Sequence, residues 1–216
     1  MIPWKQIDTV LLDMDGTLLD KHFDDYFWEE LVPEKYAEKN GLPLQEAKQR
    51  LYAAYRTQEK TLNWTDLSYW SERLELDIIA LKWGICGRVQ VHPGVTPFLE
   101  FVKRQRKKIV LATNADPKTV QMKMEQTPLS PFFDTILCAS DLGFPKEDIG
   151  FWKGAKAAVG FDQERSLFVD DNEEVLLSAQ AFGIKYLLFK THASSRIARV
   201  DSERFPSVKD FGELIP

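Results

Sequence analysis

The sequence predicts an α/β fold: a doubly wound, Rossmann-like parallel sheet with an all-helical segment inserted after its first strand. Short apolar runs alternate with segments of helical length over the later part of the chain, the pattern of a parallel sheet wrapped by helices. A strand-free stretch rich in Glu, Lys, Gln, Ala and Leu separates the first run from the others. The 216 residues are 44% hydrophobic and 28% charged, enough apolar side chain for a packed core, which excludes disorder as the overall state and fits one or two domains.

Five runs read as buried strands. Thr9 to Leu12 ends at Asp13, Ile109 to Ala112 at Thr113, and Ser166 to Val169 at Asp170. Thr135 to Ala139 follows Asp134, and Ile184 to Phe189 comes last. Helices are expected over Val95 to Arg106, Asp116 to Gln126, Asp148 to Val159 and Asn172 to Ala181. The stretch from Leu18 to His92 holds four of the six tryptophans, Trp28, Trp64, Trp70 and Trp83, and has apolar residues at helical spacing, as in Ala47, Leu51, Ala54 and Tyr55. His92-Pro93-Gly94 closes it with a turn signal. The expected organisation is therefore a core of residues 1–17 and 93–216 and a helical domain of residues 18–92, with hinges at Leu18 to Phe23 and Val91 to Gly94.

Net charge is −5 and the isoelectric point is near 5.4, which argues against a nucleic-acid partner while leaving room for a small anionic ligand at a local site. Cys86 and Cys138 stand far apart with no metal-like spacing, as in a reducing compartment. The first residues lack the apolar core of a signal peptide, and no run of apolar residues is long enough to span a bilayer. A cytoplasmic protein without membrane contact, monomeric or weakly dimeric, is the expectation. The basic run Lys103 to Lys108 reads as a solvated helix end, and His22, His92 and His192 have no metal-ligand spacing.

The sharpest chemical signal is Leu11-Leu12-Asp13-Met14-Asp15-Gly16-Thr17. Two carboxylates two residues apart leave an apolar strand at a Gly-Thr turn. Adjacent anions are unfavourable unless a cation joins them or one stays protonated. The first solution binds a divalent metal and the second provides a general acid. Gly16 permits a backbone geometry that a side chain opposes. Three further elements follow later strands: Thr113-Asn114, Lys146 within Phe144-Pro145-Lys146-Glu147, and Asp170-Asp171. Together at one sheet edge they offer acids for a metal, and a hydroxyl and a cation for an anion, the parts that phosphoryl transfer needs.

In order and separation these four elements resemble motifs I to IV of the haloacid dehalogenase (HAD) superfamily, D-x-D-G-T being complete at Asp13 to Thr17. The helical insertion is similar to a C1-type cap of that superfamily. Asp24-Asp25-Tyr26-Phe27-Trp28, Thr61-Leu62-Asn63-Trp64, Tyr69-Trp70-Ser71, Phe144 to Asp148 and Phe168 to Asp171 resemble the bacterial GMP/IMP 5′-nucleotidase branch of the superfamily, through the cap as well as the core.

The resemblance implies that Asp13 is the nucleophile, forming an aspartyl phosphate, and that Asp15 is the acid and base. It implies Mg²⁺, with Mn²⁺ or Co²⁺ as substitutes, held by Asp13, the carbonyl of Asp15, and Asp170 or Asp171. Thr113, with Asn114 beside it, holds phosphate oxygens, Lys146 neutralises charge, and Thr17 bonds to Asp15 and orients it. The second acid, Asp15, favours a phosphatase over a dehalogenase, because a halide needs no proton. Among the cap aromatics Tyr26, Phe27, Trp28, Trp64, Tyr69 and Trp70, a purine platform is expected from Trp28 or Trp64, with Arg56 or Arg88 at the base edge or phosphate. The implied activity is a Mg²⁺-dependent phosphomonoesterase for purine nucleoside 5′-monophosphates. Its alternatives are a phosphatase for sugar phosphates or phosphoglycolate and, outside the enzymes, a phosphoacceptor or phosphate-binding signalling module.

Overall fold

The computed structural model describes residues 2–198 and 200–216. Six strands, β1 Thr9–Leu12, β2 Lys108–Thr113, β3 Thr135–Cys138, β4 Ser166–Asp170, β5 Tyr186–Lys190 and β6 Ser207–Val208, form one sheet in the order β3-β2-β1-β4-β5-β6. Every pairing is parallel. All residues of β1 and β4 are buried, which is why these strands read as unbroken apolar runs. Successive side chains alternate between faces. Val10, Leu12, Ile109, Leu111, Leu167 and Val169 join one core cluster, and Leu11, Val110, Ala112 and Phe168 the other.

The helices are α1 His22–Tyr26, α2 Val32–Asn40, α3 Leu44–Arg56, α4 Leu67–Leu74, α5 Ile78–Gly84, α6 Val95–Arg104, α7 Pro117–Gln126, α8 Ala139–Leu142, α9 Ile149–Val159 and α10 Glu173–Phe182. α6 and α7 cover the first sheet face through Phe98, Leu99, Val120 and Met124. α9 and α10 cover the second through Phe151, Trp152, Val175 and Leu176. The helices that start near the strand ends carry side-chain caps. Asp116 accepts from the Lys118 amide at 2.7 Å, Asp148 from Gly150 at 2.6 Å and Asn172 from Glu174 at 2.9 Å. Each such cap stabilises by about 1 kcal/mol and fixes where the chain turns over the sheet edge.

The strands differ from expectation mainly at their ends. The third stops at Cys138, because Ala139 opens the short helix α8. The fifth begins at Tyr186 rather than Ile184. β6 escaped prediction: two residues carry no periodicity, and only the pairing of Val208 with Lys190 makes them a strand.

The five helices α1 to α5 bury their own cluster, Phe27, Val32, Leu51, Tyr55, Leu67, Trp70, Leu74 and Ile78, apart from the two sheet-face cores. A π-helical turn, Phe27–Leu31, joins α1 to α2. The two links to the sheet lie side by side: Leu19 pairs antiparallel with Val91, the Asp20 amide donates to Gln90 O at 2.9 Å, and His92 N donates to Leu18 O at 2.9 Å. The loop after β5 also grips the first link, where Lys21 N donates to Ala193 O and Ser195 N to Asp20 Oδ1. Among the described residues no helix is long and apolar enough to cross a membrane.

Candidate active site

The strand order reverses direction at β1, which lies between β2 and β4. In doubly wound sheets a ligand site opens beyond the carboxyl ends of the strands at such a switch. Asp13 leaves β1 there, its amide donating to Val169 O at 3.0 Å. Gly16 then turns with φ +92°, and a Cβ at this position would lie 2.3 Å from Asp171 Oδ2. Only glycine combines that backbone with so close an approach of a carboxylate.

Asp13, Lys146 and Asp170 form a buried chain. Lys146 Nζ donates to Asp13 Oδ1 at 2.5 Å and to Asp170 Oδ2 at 2.7 Å. The other Asp170 oxygen accepts from the Asn172 amide at 2.8 Å. Lys146 is held from three sides: its amide donates to Asn114 Oδ1 at 2.8 Å, its carbonyl accepts from the Trp152 indole at 2.9 Å, and its ammonium lies 5.9 Å from the Phe168 ring centre. Burial alone would lower the Lys146 pKa, but the Asp13 and Asp170 charges outweigh it and hold the ammonium above the usual lysine range. Burial drives Asp170 well above the usual carboxylate range against the pull of Lys146. Burial, then the Asp13 charge, pushes Asp171 up to about 7.

Oxygens of Asp13, Asp170 and Asp171 all lie within 4.8 Å of one another. Asp13 Oδ2 is buried and has no hydrogen-bond partner. A cluster of hard carboxylate oxygens, elevated pKa values and an orphaned anionic oxygen fit a divalent cation of the Mg²⁺ type. The carboxylate of Asp15 is not in this cluster; it turns to Lys123, whose Nζ donates to Asp15 Oδ1 at 2.5 Å. Burial raises Asp15 to about 6 against the attraction of Lys123, with the charges of Asp24 and Asp13 adding to the rise.

The site opens into a cavity of about 650 Å³ between the sheet edge and the inserted helices. Asp13, Asp15, Thr113, Asn114, Lys146, Asp170 and Asp171 line one side, and Trp28 and Trp64 the other. Thr113 Oγ1 accepts from the Ala115 amide at 3.0 Å and shapes the loop after β2. The Asn114 side chain is spent on bracing, since its Nδ2 donates to Glu147 at 2.9 Å while its Oδ1 takes the Lys146 amide. The Asn114 carbonyl accepts from Thr65 Oγ1, at 2.5 Å, a direct tie between the helical insertion and the sheet edge.

Two expected site residues are placed elsewhere. Thr17 is fully buried, its hydroxyl has no hydrogen-bond partner, and it is not on the cavity wall. Arg88 is also off the wall: its guanidinium stacks on Tyr26 at 4.2 Å. Arg56 takes the place on the wall that either arginine was expected to fill. Trp28 is largely a cap-core residue, edge-on to Phe27, Tyr55 and Trp70, whereas Trp64 is 40% exposed and is the more available platform.

Sequence reasoning gave no site role to four charged residues there, although Asp24 stands in one of the segments that carry the resemblance. Lys21 faces Asp171, Asp25, Asp13 and Asp24. Asp24, Lys82 and Lys123 form a second buried network: Lys123 Nζ donates to Asp24 Oδ2 at 2.5 Å, and Lys82 Nζ lies 2.8 Å from Asp24 Oδ1. A signal for the last two was present. Lys123 sits three and four residues after buried Val120 and Thr119, and Lys82 four after buried Ile78. Each is a lysine on an apolar helical stripe, where an unpaired charge does not belong.

The model of the haloacid dehalogenase-like hydrolase family matches residues 7–183. The chain is 45% identical over 215 residues to the GMP/IMP nucleotidase YrfG of Escherichia coli (strain K12), covering 100% of this chain and 97% of the relative. A phosphoglycolate phosphatase of Agrobacterium fabrum is 24% identical over 95% of this chain and 90% of its own length. Among solved structures, a HAD phosphatase from Thermococcus onnurineus superposes with a TM-score of 0.82 at 21% identity, over 96% of each chain. The L-2-haloacid dehalogenase of Xanthobacter autotrophicus reaches 0.68 at 17%, also over 96% of each, and these two likenesses speak for the fold. With its acid pair, lysine and second acid pair joined at one sheet edge, the chain belongs to the haloacid dehalogenase-like hydrolase family and is a phosphoric monoester hydrolase.

Proposed function

We propose that the protein is a Mg²⁺-dependent 5′-nucleotidase acting on purine nucleoside monophosphates such as GMP and IMP, through an aspartyl phosphate on Asp13. The observation that carries this reading is the 45% identity to a GMP/IMP nucleotidase over the full chain, inserted helices included. Those helices wall the cavity opposite the acids, so they face the part of the substrate that differs between phosphate esters. A stack of the base on Trp64 adds about 1–3 kcal/mol. A two-ring base with its ribose suits a cavity of about 650 Å³ better than a two-carbon phosphate ester does.

Asp13, the carbonyl of Asp15 and Asp171 are the residues we assign to the metal, because Asp170 already spends its two oxygens on Lys146 and the Asn172 amide. Bound there, Mg²⁺ supplies charge neutralisation between the phosphoryl oxygens and the carboxylates. Lys146 holds Asp13 Oδ1 in place and adds positive charge against the transferring group. An Asp13 oxygen bonds to phosphorus as the ester P–O bond breaks, and the electron pair leaves with the ester oxygen. That oxygen takes its proton from the Asp15 carboxyl. Asp15 then accepts a proton from the incoming water, whose oxygen bonds to phosphorus and releases Asp13. A carboxyl raised to about 6 is suited to both transfers near neutral pH.

The test is phosphate release from GMP, IMP, AMP, UMP, phosphoglycolate and several sugar phosphates, with Mg²⁺, with EDTA, and with Asp13→Asn as blank. Fast, EDTA-sensitive release from GMP and IMP is the expected result. Release confined to phosphoglycolate or sugar phosphates would discard the nucleotide assignment and keep the mechanism.

A further inference from the structure

The Thr17 hydroxyl makes no hydrogen bond to Asp15, whereas Lys123 does. Lys123 projects from α7, and its ammonium, 1% exposed, ends between two carboxylates, Asp15 Oδ1 and Asp24 Oδ2, each at 2.5 Å. Asp15 belongs to the sheet edge and Asp24 to α1 of the cap helices. Lys82 of α5 completes the chain at 2.8 Å from Asp24 Oδ1, with its ammonium 5.0 Å from the Phe27 ring centre, 5.6 Å from Trp28 and 5.8 Å from Phe23. Two acids and two lysines hold one another without a metal, balanced in charge when Asp15 is ionised and one charge positive when it carries the proton it delivers. The network's interior is desolvated, and each member is therefore restrained by its partners.

We infer that Lys123 is a positioning residue for the leaving-group proton: it fixes which Asp15 oxygen carries that proton and ties this choice, through Asp24 and Lys82, to the docked position of the cap helices. An ammonium has donors and no acceptor. The oxygen facing Lys123 therefore stays a bare acceptor, and the Asp15 proton rides on Oδ2, the oxygen left for the cavity. The proton that reaches the ester oxygen comes from there, while Oδ1 keeps its bond to Lys123. Without Lys123 the proton is free to sit on either oxygen and the carboxyl is free to turn. The network also joins segments from both sides of the cavity: α7 under the sheet edge, α1 just after the first link, and α5 near the second. Moving the cap helices away separates Asp24 from Lys123 and loosens the hold on Asp15.

The inference rests on Asp15 being the general acid, and the experiment separates the two ideas. Lys123→Met, Asp24→Asn and Asp15→Asn are compared with wild type on two esters: 4-nitrophenyl phosphate, whose leaving group departs without a proton, and IMP or the best alkyl phosphate of the panel, whose leaving group requires one. A positioned acid is worth about 10²–10⁴-fold. Lys123→Met is expected to lower kcat/KM, which reports the step that expels the leaving group and not the later hydrolysis of the aspartyl phosphate, roughly 100-fold on the alkyl ester and less than fivefold on the aryl ester, the same split as Asp15→Asn on a smaller scale. Asp24→Asn keeps Lys123 and should show the split at roughly tenfold; it carries the test if Lys123→Met does not fold. Equal losses on both esters, or none, in Lys123→Met and Asp24→Asn beside a clear split in Asp15→Asn would overturn the inference and leave the role of Asp15 intact. No split in Asp15→Asn would remove the acid assignment, and the inference with it.

Discussion

Two buried chains of alternating charge meet at this site, and they are built to opposite ends. Asp13–Lys146–Asp170 lies wholly at the sheet edge, and with Asp171 beside it sets three carboxylates against one buried ammonium. Even with Lys21 facing Asp171, the carboxylates outnumber the ammonium groups, an imbalance that a divalent cation is suited to relieve. Asp15–Lys123–Asp24–Lys82 has as many lysines as acids and crosses from the sheet edge into the inserted helices. The first chain is short of positive charge and so is a binding site. The second is complete and so is a strut. The contrast shows that a buried acid at an active site is understood from the charge of its whole network rather than from its own burial.

The largest effect should come from the charge-deficient chain. Asp13→Asn is expected to lower phosphate release by about 10⁴-fold or more, the scale of removing a nucleophile; a rate within tenfold of wild type would place the nucleophile elsewhere. Lys146→Met should cost about 3–5 kcal/mol of stability in urea, because it leaves two buried acids facing each other. Mg²⁺ should restore part of that loss, since a cation can stand in for the missing charge. Lys123→Met should cost less, about 2 kcal/mol, and its gap to wild type should be the same with and without Mg²⁺, because the metal site is intact and Lys82 still pairs with Asp24. An equal response of the two variants to Mg²⁺ would erase the distinction between binding site and strut.

A third charged cluster, at the links between sheet and cap, extends the comparison to pH. His92 sits in the second link with Nε2 3.2 Å from Ala193 O, facing Lys190, Asp20 and His192. Burial, then the Lys190 charge, lowers its pKa from 6.5 to about 4. Above pH 6.5 the imidazole is neutral whether the chain is folded or not. Between 6.5 and 4 the unfolded chain binds the proton that the folded chain refuses, so stability falls with falling pH by up to about 3 kcal/mol. The difference between wild type and His92→Gln, followed by urea unfolding at pH 7, 5.5 and 4.5, should shrink steadily across that window. A difference that is flat with pH would mean that His92 is not held neutral.

The smallest contrast is backbone geometry. Gly94 and Gly41 both have positive φ, +77° and +63°. A Cβ on Gly94 would meet Asp210 Oδ1 at 2.1 Å and Gly212 N at 2.7 Å, whereas one on Gly41 meets nothing within 4 Å. Gly94→Ala should destabilise by about 3 kcal/mol and Gly41→Ala by about 1 kcal/mol. Equal losses in thermal unfolding would show that the link region yields freely. Gly94 is thus a packed corner, and a proline there would test folding before it tested any hinge.

The sheet was legible because buried parallel strands are apolar on both faces, so Thr9–Leu12 and Ser166–Asp170 stand out as runs with an acid at or just beyond the end. Their ends carry Asp13 and Asp170, as the end of β2 carries Thr113, which is why the acids of the first charge chain were visible as spaced motifs. The burial of Thr17 and the stacking of Arg88 on Tyr26 were not legible, because a resemblance supplies a residue's role without its rotamer or its neighbours. Trp28 and Trp64 looked alike in the sequence, yet one is a packing residue of the cap and the other has an exposed face.

Local order along the chain was enough to set the first five strands, the four long helices around the sheet, the Gly16 turn and the acids that follow β1 and β4, because each depends on residues a few positions apart. The Lys123 network depends on side chains 99 and 108 positions apart that no shared periodicity connects. Its members met only when α7, α1 and α5 packed around one desolvated ammonium, and burial is what obliged the ammonium to find both carboxylates.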